Sequence, residues 1–132
     1  MIRVTTKKRT GDFTEKLTEY FLNDTNIVFA LYFGSYVHKR RRPRDLDVAI
    51  YFKDPPEGIN LLFLINNLSN ISDREVDLVV LNNASVFLRH QVMKYGIPAV
   101  IKNRDIYRRF REKTIADYDE YKFVSGLNRY DR

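Results

Sequence analysis

Residues 27–33 and 46–52 read IVFALYF and LDVAIYF, two strand-length runs that are apolar at nearly every position. A strand with one wet face alternates polar and apolar residues, so runs of this kind belong to strands covered on both faces. Only Asp47 interrupts the second run, and Asp45 stands two residues before it. Between the two runs lies Gly34-Ser35 and then a basic stretch, HKRRRPR, at 38–44.

The rest of the chain supplies cover for such strands. Phe13, Leu17, Tyr20 and Phe21 recur at helical spacing and predict a helix over 12–23, with Gly11-Asp12 or Thr14 able to cap its start. Asp54-Pro55-Pro56 stops the second strand, because proline cannot continue a ladder. Leu61, Leu62, Leu64, Ile65 and Leu68 predict a helix over 59–68, followed by a polar turn at 69–73 and a third strand at 75–81. Ala84, Phe87, Leu88, Gln91, Val92 and Tyr95 predict a helix over 84–95 with Gly96 as its C-cap. A short strand follows at 97–101, which Pro98 assigns to a sheet edge or a strand start. Tyr107, Phe110, Thr114, Tyr118 and Tyr121 predict a final helix over 104–123, and the tail 124–132 has little to pack and is expected to fray. The expectation is one α/β (α+β) domain over 1–132, with a small mixed sheet of about four strands flanked by helices.

Composition excludes several kinds of chemistry. No cysteine is present, which removes disulfides, thiolate catalysis and cysteine zinc sites. The only histidines, His38 and His90, are far apart, so a metal would be held by oxygen, which favours magnesium or manganese. No stretch is long and apolar enough to span a membrane, and MIRVTTKKRTGDF lacks a secretory core, so the expected location is cytoplasmic. The net charge of +6 is local: without Lys39, Arg40, Arg41, Arg42 and Arg44, the 23 basic residues fall to 18 against 17 acidic. That favours a local anion site over a diffuse nucleic-acid surface.

Asp45 and Asp47 are two apart on a strand and so share a face, while Leu46, Val48 and Ile50 face the core. Two adjacent carboxylates repel each other and resist desolvation, and a pair of Mg²⁺ ions is the usual relief. Asp77 is the one charged residue within VDLVVL and would complete a three-carboxylate set if the third strand lies beside the second. Glu75 shares its face and is the alternative. Such a set with two metals suits in-line phosphoryl displacement. Gly34 lets a backbone approach a phosphate, and the Ser35 hydroxyl with nearby amides can hold anionic oxygens. Singly, a Gly-Ser turn, a D-x-D pair and a lone strand aspartate each have an ordinary structural explanation. Their order and their settings make the combination informative.

Strand, Gly-Ser, loop, D-x-D strand and a third acid on the next strand together resemble the DNA polymerase β-like nucleotidyltransferase superfamily. The small size is similar to its minimal nucleotidyltransferases, the MNT antitoxins encoded with HEPN toxins. The resemblance spans roughly 12–123 and includes KYGIPAV at 94–100. Members usually read G-S-x-A-R-G and then S-D-x-D; here Val37, His38, Lys39 and Arg44 stand where Ala, Arg, Gly and Ser are common. The resemblance implies that Gly34 and Ser35 contact the triphosphate; beside it the basic loop, with Lys39 and Arg44, could neutralise the β and γ oxygens or the departing pyrophosphate. It further implies that Asp45 and Asp47 bind two Mg²⁺ ions, and that Asp77 binds the catalytic ion and helps deprotonate the acceptor.

The implied reaction is AMP transfer from ATP to an acceptor hydroxyl. A chain this short has no room for an acceptor-binding domain, so the economical acceptor is a partner protein, and the resemblance implies a tyrosine of a HEPN toxin. Two alternatives stay open: a non-enzymatic antitoxin acting by contact, and an RNA-end nucleotidyltransferase. The basic loop has its own alternatives, binding RNA or an acidic partner, or simply a solvated tip. The aromatic stripe of the last helix is explained by core packing, but its number of rings also suits a partner surface.

Overall fold

The computed structural model describes residues 8–34 and 45–125. Among the described residues four helices and four strands follow in the order α1 (Lys8–Asn23), β1 (Ile27–Phe33), β2 (Asp45–Phe52), α2 (Ile59–Ser72), β3 (Glu75–Val80), α3 (Val86–Tyr95), β4 (Ile97–Ile101) and α4 (Arg104–Ser125). A short 3-10 turn, Leu81–Asn83, joins β3 to α3. The strands form one mixed sheet in the order β3-β2-β1-β4. β1 pairs antiparallel with both β2 and β4, while β2 and β3 run parallel. β4 is an edge strand, as Pro98 requires.

The apolar runs are buried on both faces because α1 and α2 cover one side of the sheet and α3 and α4 the other. On the first side Phe13, Leu17 and Phe21 of α1 and Leu64 and Leu68 of α2 pack against Leu46, Val48, Ile50 and Phe52 of β2. On the second side Val92 and Met93 of α3 pack with Phe29, Leu31 and Ala49, and Tyr107 and Phe110 of α4 close over them. Phe29 is the hub of this layer. It stacks on Tyr51 with ring centroids 5.2 Å apart and meets the edges of Tyr107 at 4.9 Å and Phe110 at 5.6 Å. Aromatic pairs in these geometries add about 0.5–1.5 kcal/mol each beyond the area they bury.

Polar side chains close the joints. Asn82 binds the main chain of Phe52 twice, accepting from its N–H at 3.0 Å and donating to its carbonyl at 2.8 Å. Ser85 caps α3 by accepting from the Leu88 N–H at 3.2 Å, and Asn103 accepts from Ile106 N–H at 3.0 Å at the start of α4.

Several sequence expectations shift. α2 runs on to Ser72 through the residues expected to turn: Ile71 packs on the core, Ser72 Oγ donates to the Leu68 carbonyl at 2.8 Å, and Asp73 ends the helix at φ 55°. α1 begins at Lys8 instead of 12. In α3 the buried side is Val92 and Met93 with Leu88 beside them, whereas Phe87 and Tyr95 of the expected stripe are exposed. Gly96 does follow α3, but in an extended conformation (φ −72°) in place of the left-handed one of a glycine cap. Its lack of a side chain serves close approach, since a Cβ there would lie 2.5 Å from the Val92 carbonyl oxygen and 3.2 Å from Leu31 Cδ2. α4 extends to Ser125, so the first two residues of the expected tail are helical.

Candidate active site

On the face covered by α3 and α4, the sheet register sorts side chains into levels. Leu31, Ala49 and Val79 form one level across β1, β2 and β3, and all three belong to the apolar layer. One step along, the level is Phe33, Asp47 and Asp77; one further, Asp45 pairs with Glu75. The change from core to carboxylate therefore takes place within two residues of β2. Leu46 and Val48, interleaved on the opposite face, are fully buried and fix the strand while its other face turns acidic.

The expected adjacency is present: β3 lies beside β2, and Asp77 is the register partner of Asp47. Neighbouring strands are about 4.8 Å apart, so the carboxylates of Asp45, Asp47, Glu75 and Asp77 make an acidic row at one end of the sheet. Asp45 and Asp47 are half-buried, and Glu75 and Asp77 are exposed. Glu75 is level with Asp45 and Asp77 with Asp47, so of the two candidates Asp77 stands next to the inner aspartate.

Gly34 belongs to the same site. It follows β1 with φ +67°, and a Cβ built on it would collide with Asp47 Oδ2 and lie 3.0 Å from Asp47 Cγ. The glycine thus makes room for the carboxylate as well as for the turn. Sequence reading assigned Gly34 to phosphate approach and did not foresee this contact, which depends on the pairing of β1 with β2. Phe33, packed on the apolar layer, is the register partner of Asp47 on β1. Ser35, Lys39 and Arg44 lie outside the described residues.

Among the described residues, no three acidic, histidine or cysteine side chains are drawn together as a ready-made metal cluster. The acids form an open row, and their chemistry, hard carboxylate oxygen on adjoining strands, suits Mg²⁺. His90 takes no part: its ring stacks on Tyr118 at 3.6 Å between α3 and α4. No helix among the described residues is long and apolar enough to cross a membrane.

A mixed sheet with carboxylates side by side on adjacent parallel strands, and a glycine turn closing against one of them, defines a nucleotidyltransferase-type domain. The family model for Polymerase beta, Nucleotidyltransferase matches residues 15–106, and the chain belongs to that family.

Among solved structures, a toxin-antitoxin complex with AMP-PNP is similar at 28% identity and TM-score 0.75, over 86% of this chain and 93% of that one. A tri-AMPylated Shewanella oneidensis HEPN toxin in complex with MNT antitoxin is similar at 25% identity and TM-score 0.75, over 90% and 94%. A third is an MntA-HpeT toxin-antitoxin variant with two aspartates, two residues apart, changed to glutamate; it is similar at 26% identity and TM-score 0.74, over 86% and 93%. Among curated protein sequences no significant match is found.

Proposed function

We propose that this nucleotidyltransferase is an antitoxin that transfers AMP from ATP to a tyrosine hydroxyl of a partner HEPN toxin, with Mg²⁺ required and pyrophosphate released. The observation that carries the reading is the register of Asp47 with Asp77 beside the turn at Gly34. Support for the substrate and acceptor comes from the structural neighbours, which include a toxin-antitoxin with AMP-PNP and an AMPylated HEPN toxin with its MNT antitoxin.

In this reading Asp45, Asp47 and Asp77 hold the magnesium. Bound there, Mg²⁺ would supply charge neutralisation for the triphosphate and for the attacking and leaving oxygens. Asp77, next to Asp47 and exposed, receives the phenolic proton as the tyrosine oxygen bonds to the α-phosphorus. The bond from that phosphorus to the oxygen bridging to the β-phosphate breaks, and pyrophosphate departs. Gly34, having no side chain, lets the Asp47 carboxylate lie against the turn that would face the triphosphate. Ser35, Lys39 and Arg44 complete the triphosphate contacts in the same reading. At the end of α4, Phe123 and Val124 are each 76% exposed and offer an apolar face to the toxin.

A contact-only antitoxin is the second reading, favoured by one observation: the acids form an open row and not a gathered cluster. One experiment separates the readings. The chain is incubated with the HEPN protein encoded beside it, labelled ATP and Mg²⁺, and label on the toxin is followed together with toxin activity. Transfer that depends on Mg²⁺ and falls at least about a hundredfold in Asp45→Asn/Asp47→Asn supports the enzyme. Neutralisation without label, equal in wild type and variant, supports contact alone; label on RNA without any protein partner supports the RNA-end reading.

A further inference from the structure

Between α3 and α4 lies a cavity of about 130 Å³ lined by His90, Met93 and Lys94 from α3 and by Arg111 and Ile115 from α4. A single ordered water needs only about 10–15 Å³ of such space, so a polyatomic group fits. The His90 ring is held in place by its stack on Tyr118, and its Nδ1 is buried without a hydrogen-bond partner. That nitrogen is closed off from solvent, so the ring meets the cavity through its other atoms.

Charge around this cavity is one-sided. Lys94 and Arg111 are both exposed, and neither makes an ion pair with a described residue. Burial lowers the His90 pKa first, Lys94 and Lys122 lower it further, and only Asp119 opposes them. A larger cavity of about 340 Å³, beside Leu22, Lys53 and Lys102, is different in kind. There the Lys102 ammonium is already engaged, donating to the Asp24 carbonyl at 2.7 Å and to the Leu22 carbonyl at 3.4 Å.

We propose that the His90 cavity is a second binding site, for an oxyanion of phosphate or carboxylate type, held by Lys94 and Arg111 against the His90 ring. Its sign is opposite to that of the acidic row, so the two sites select different groups. The site is independent of the nucleotidyl-transfer reaction and stands whether or not that reaction is confirmed.

The test uses the whole chain and the imidazole itself as reporter. With two histidines in the sequence, His38→Gln leaves His90 as the single imidazole signal in ¹H–¹⁵N NMR. Inorganic phosphate and acetate are titrated separately at constant ionic strength set with chloride. The expected result is a saturable shift of the His90 signals and a raised His90 pKa, because an adjacent anion favours the imidazolium. Saturation by phosphate alone assigns the site to a phosphate group; saturation by acetate as well assigns it to oxyanions generally, carboxylates included. Lys94→Ala/Arg111→Ala, which alters exposed side chains and leaves the helix packing intact, should weaken binding at least about tenfold. Failure of both anions to saturate, or equal binding by the double variant, overturns the site.

Discussion

Replacing Gly34 by alanine separates two consequences that usually arrive together. At φ +67° an L-residue is strained by about 1–2 kcal/mol, whatever its surroundings. The new Cβ would also strike Asp47 Oδ2, with Asp47 Cγ at 3.0 Å and Asp47 Cβ at 3.3 Å. The atom struck is the tip of a short side chain, so the collision is relieved by turning the Asp47 carboxylate away. For a reaction that depends on that carboxylate, a displacement on the order of 1 Å lowers the rate by about 10²-fold. Gly58 is a comparison position: at φ +59° and ψ −129° it too holds a backbone that L-residues rarely adopt, yet an added Cβ meets nothing within 4 Å. Gly34→Ala should lose about 1–2 kcal/mol, which lowers Tm by roughly 4–8 °C in a chain of this size, and Gly58→Ala at least as much. Only Gly34→Ala should lose transfer of label from ATP to the toxin. Thermal unfolding and initial labelling rates measured on the same preparations decide the matter. If Gly34→Ala matches Gly58→Ala in Tm and still labels at the wild-type rate, the position of Asp47 against Gly34 has no part in the reaction.

Other substitutions probe the frame around the site. Asn82→Ala strips both hydrogen bonds from the Phe52 main chain and should cost about 1–3 kcal/mol, read as a lower urea midpoint with unchanged slope. Phe29→Ala empties the hub of the α3–α4 layer and should cost about 3–5 kcal/mol, against a smaller loss for Phe29→Leu. Acid should weaken the junction of α3 with α4. The Asp117 carboxyl is held below its usual value foremost by a hydrogen bond from Lys113 and then by Arg89, against an opposing contribution from burial. Its folded pKa is thus below its unfolded one, so its contribution is complete above the unfolded value of about 3.9 and is lost as pH falls through that value toward the folded one. Urea unfolding between pH 7 and pH 3 should show a smaller acid-dependent loss in Asp117→Asn than in wild type.

The strands were legible because their signal is local and strong. Two apolar runs, one bounded by Gly34 and the other by Asp54-Pro55-Pro56, leave little choice of ends, and the observed β1 and β2 agree to within a residue. Helix ends were harder, because polarity argues for a turn where packing can overrule it. Ser69, Asn70 and Ser72 look like loop, but Ile71 reaches the core and carries the last turn of α2 with it. In α3 the error lies in part of the stripe. Leu88 and Val92 reach the core as expected and Met93 joins them, whereas Phe87 and Tyr95, large and apolar, stay exposed. A ten-residue helix with apolar side chains on more than one side does not state which side is covered.

Candidate residues could be named from the sequence and their arrangement could not, and the reason is the range over which each is decided. Asp45 and Asp47 share a face by the two-residue repeat of any strand, so one segment of sequence suffices. Their relation to Asp77 rests on β2 and β3 being parallel neighbours, and their relation to Gly34 on β1 being the antiparallel neighbour on the other side. Neither pairing is written in the residues themselves. Once both exist, the acidic row is a boundary as much as a cluster: Ala49, fully buried, is followed two residues earlier in the chain by half-buried Asp47 and then by Asp45. The carboxylates are thus anchored on a strand whose far half is locked by Phe29, Tyr51 and Phe110, while their own half lies at the end of the sheet where a charged ligand can enter. That division supplies the combination such a site requires, rigid backbone beneath the acids and water within their reach.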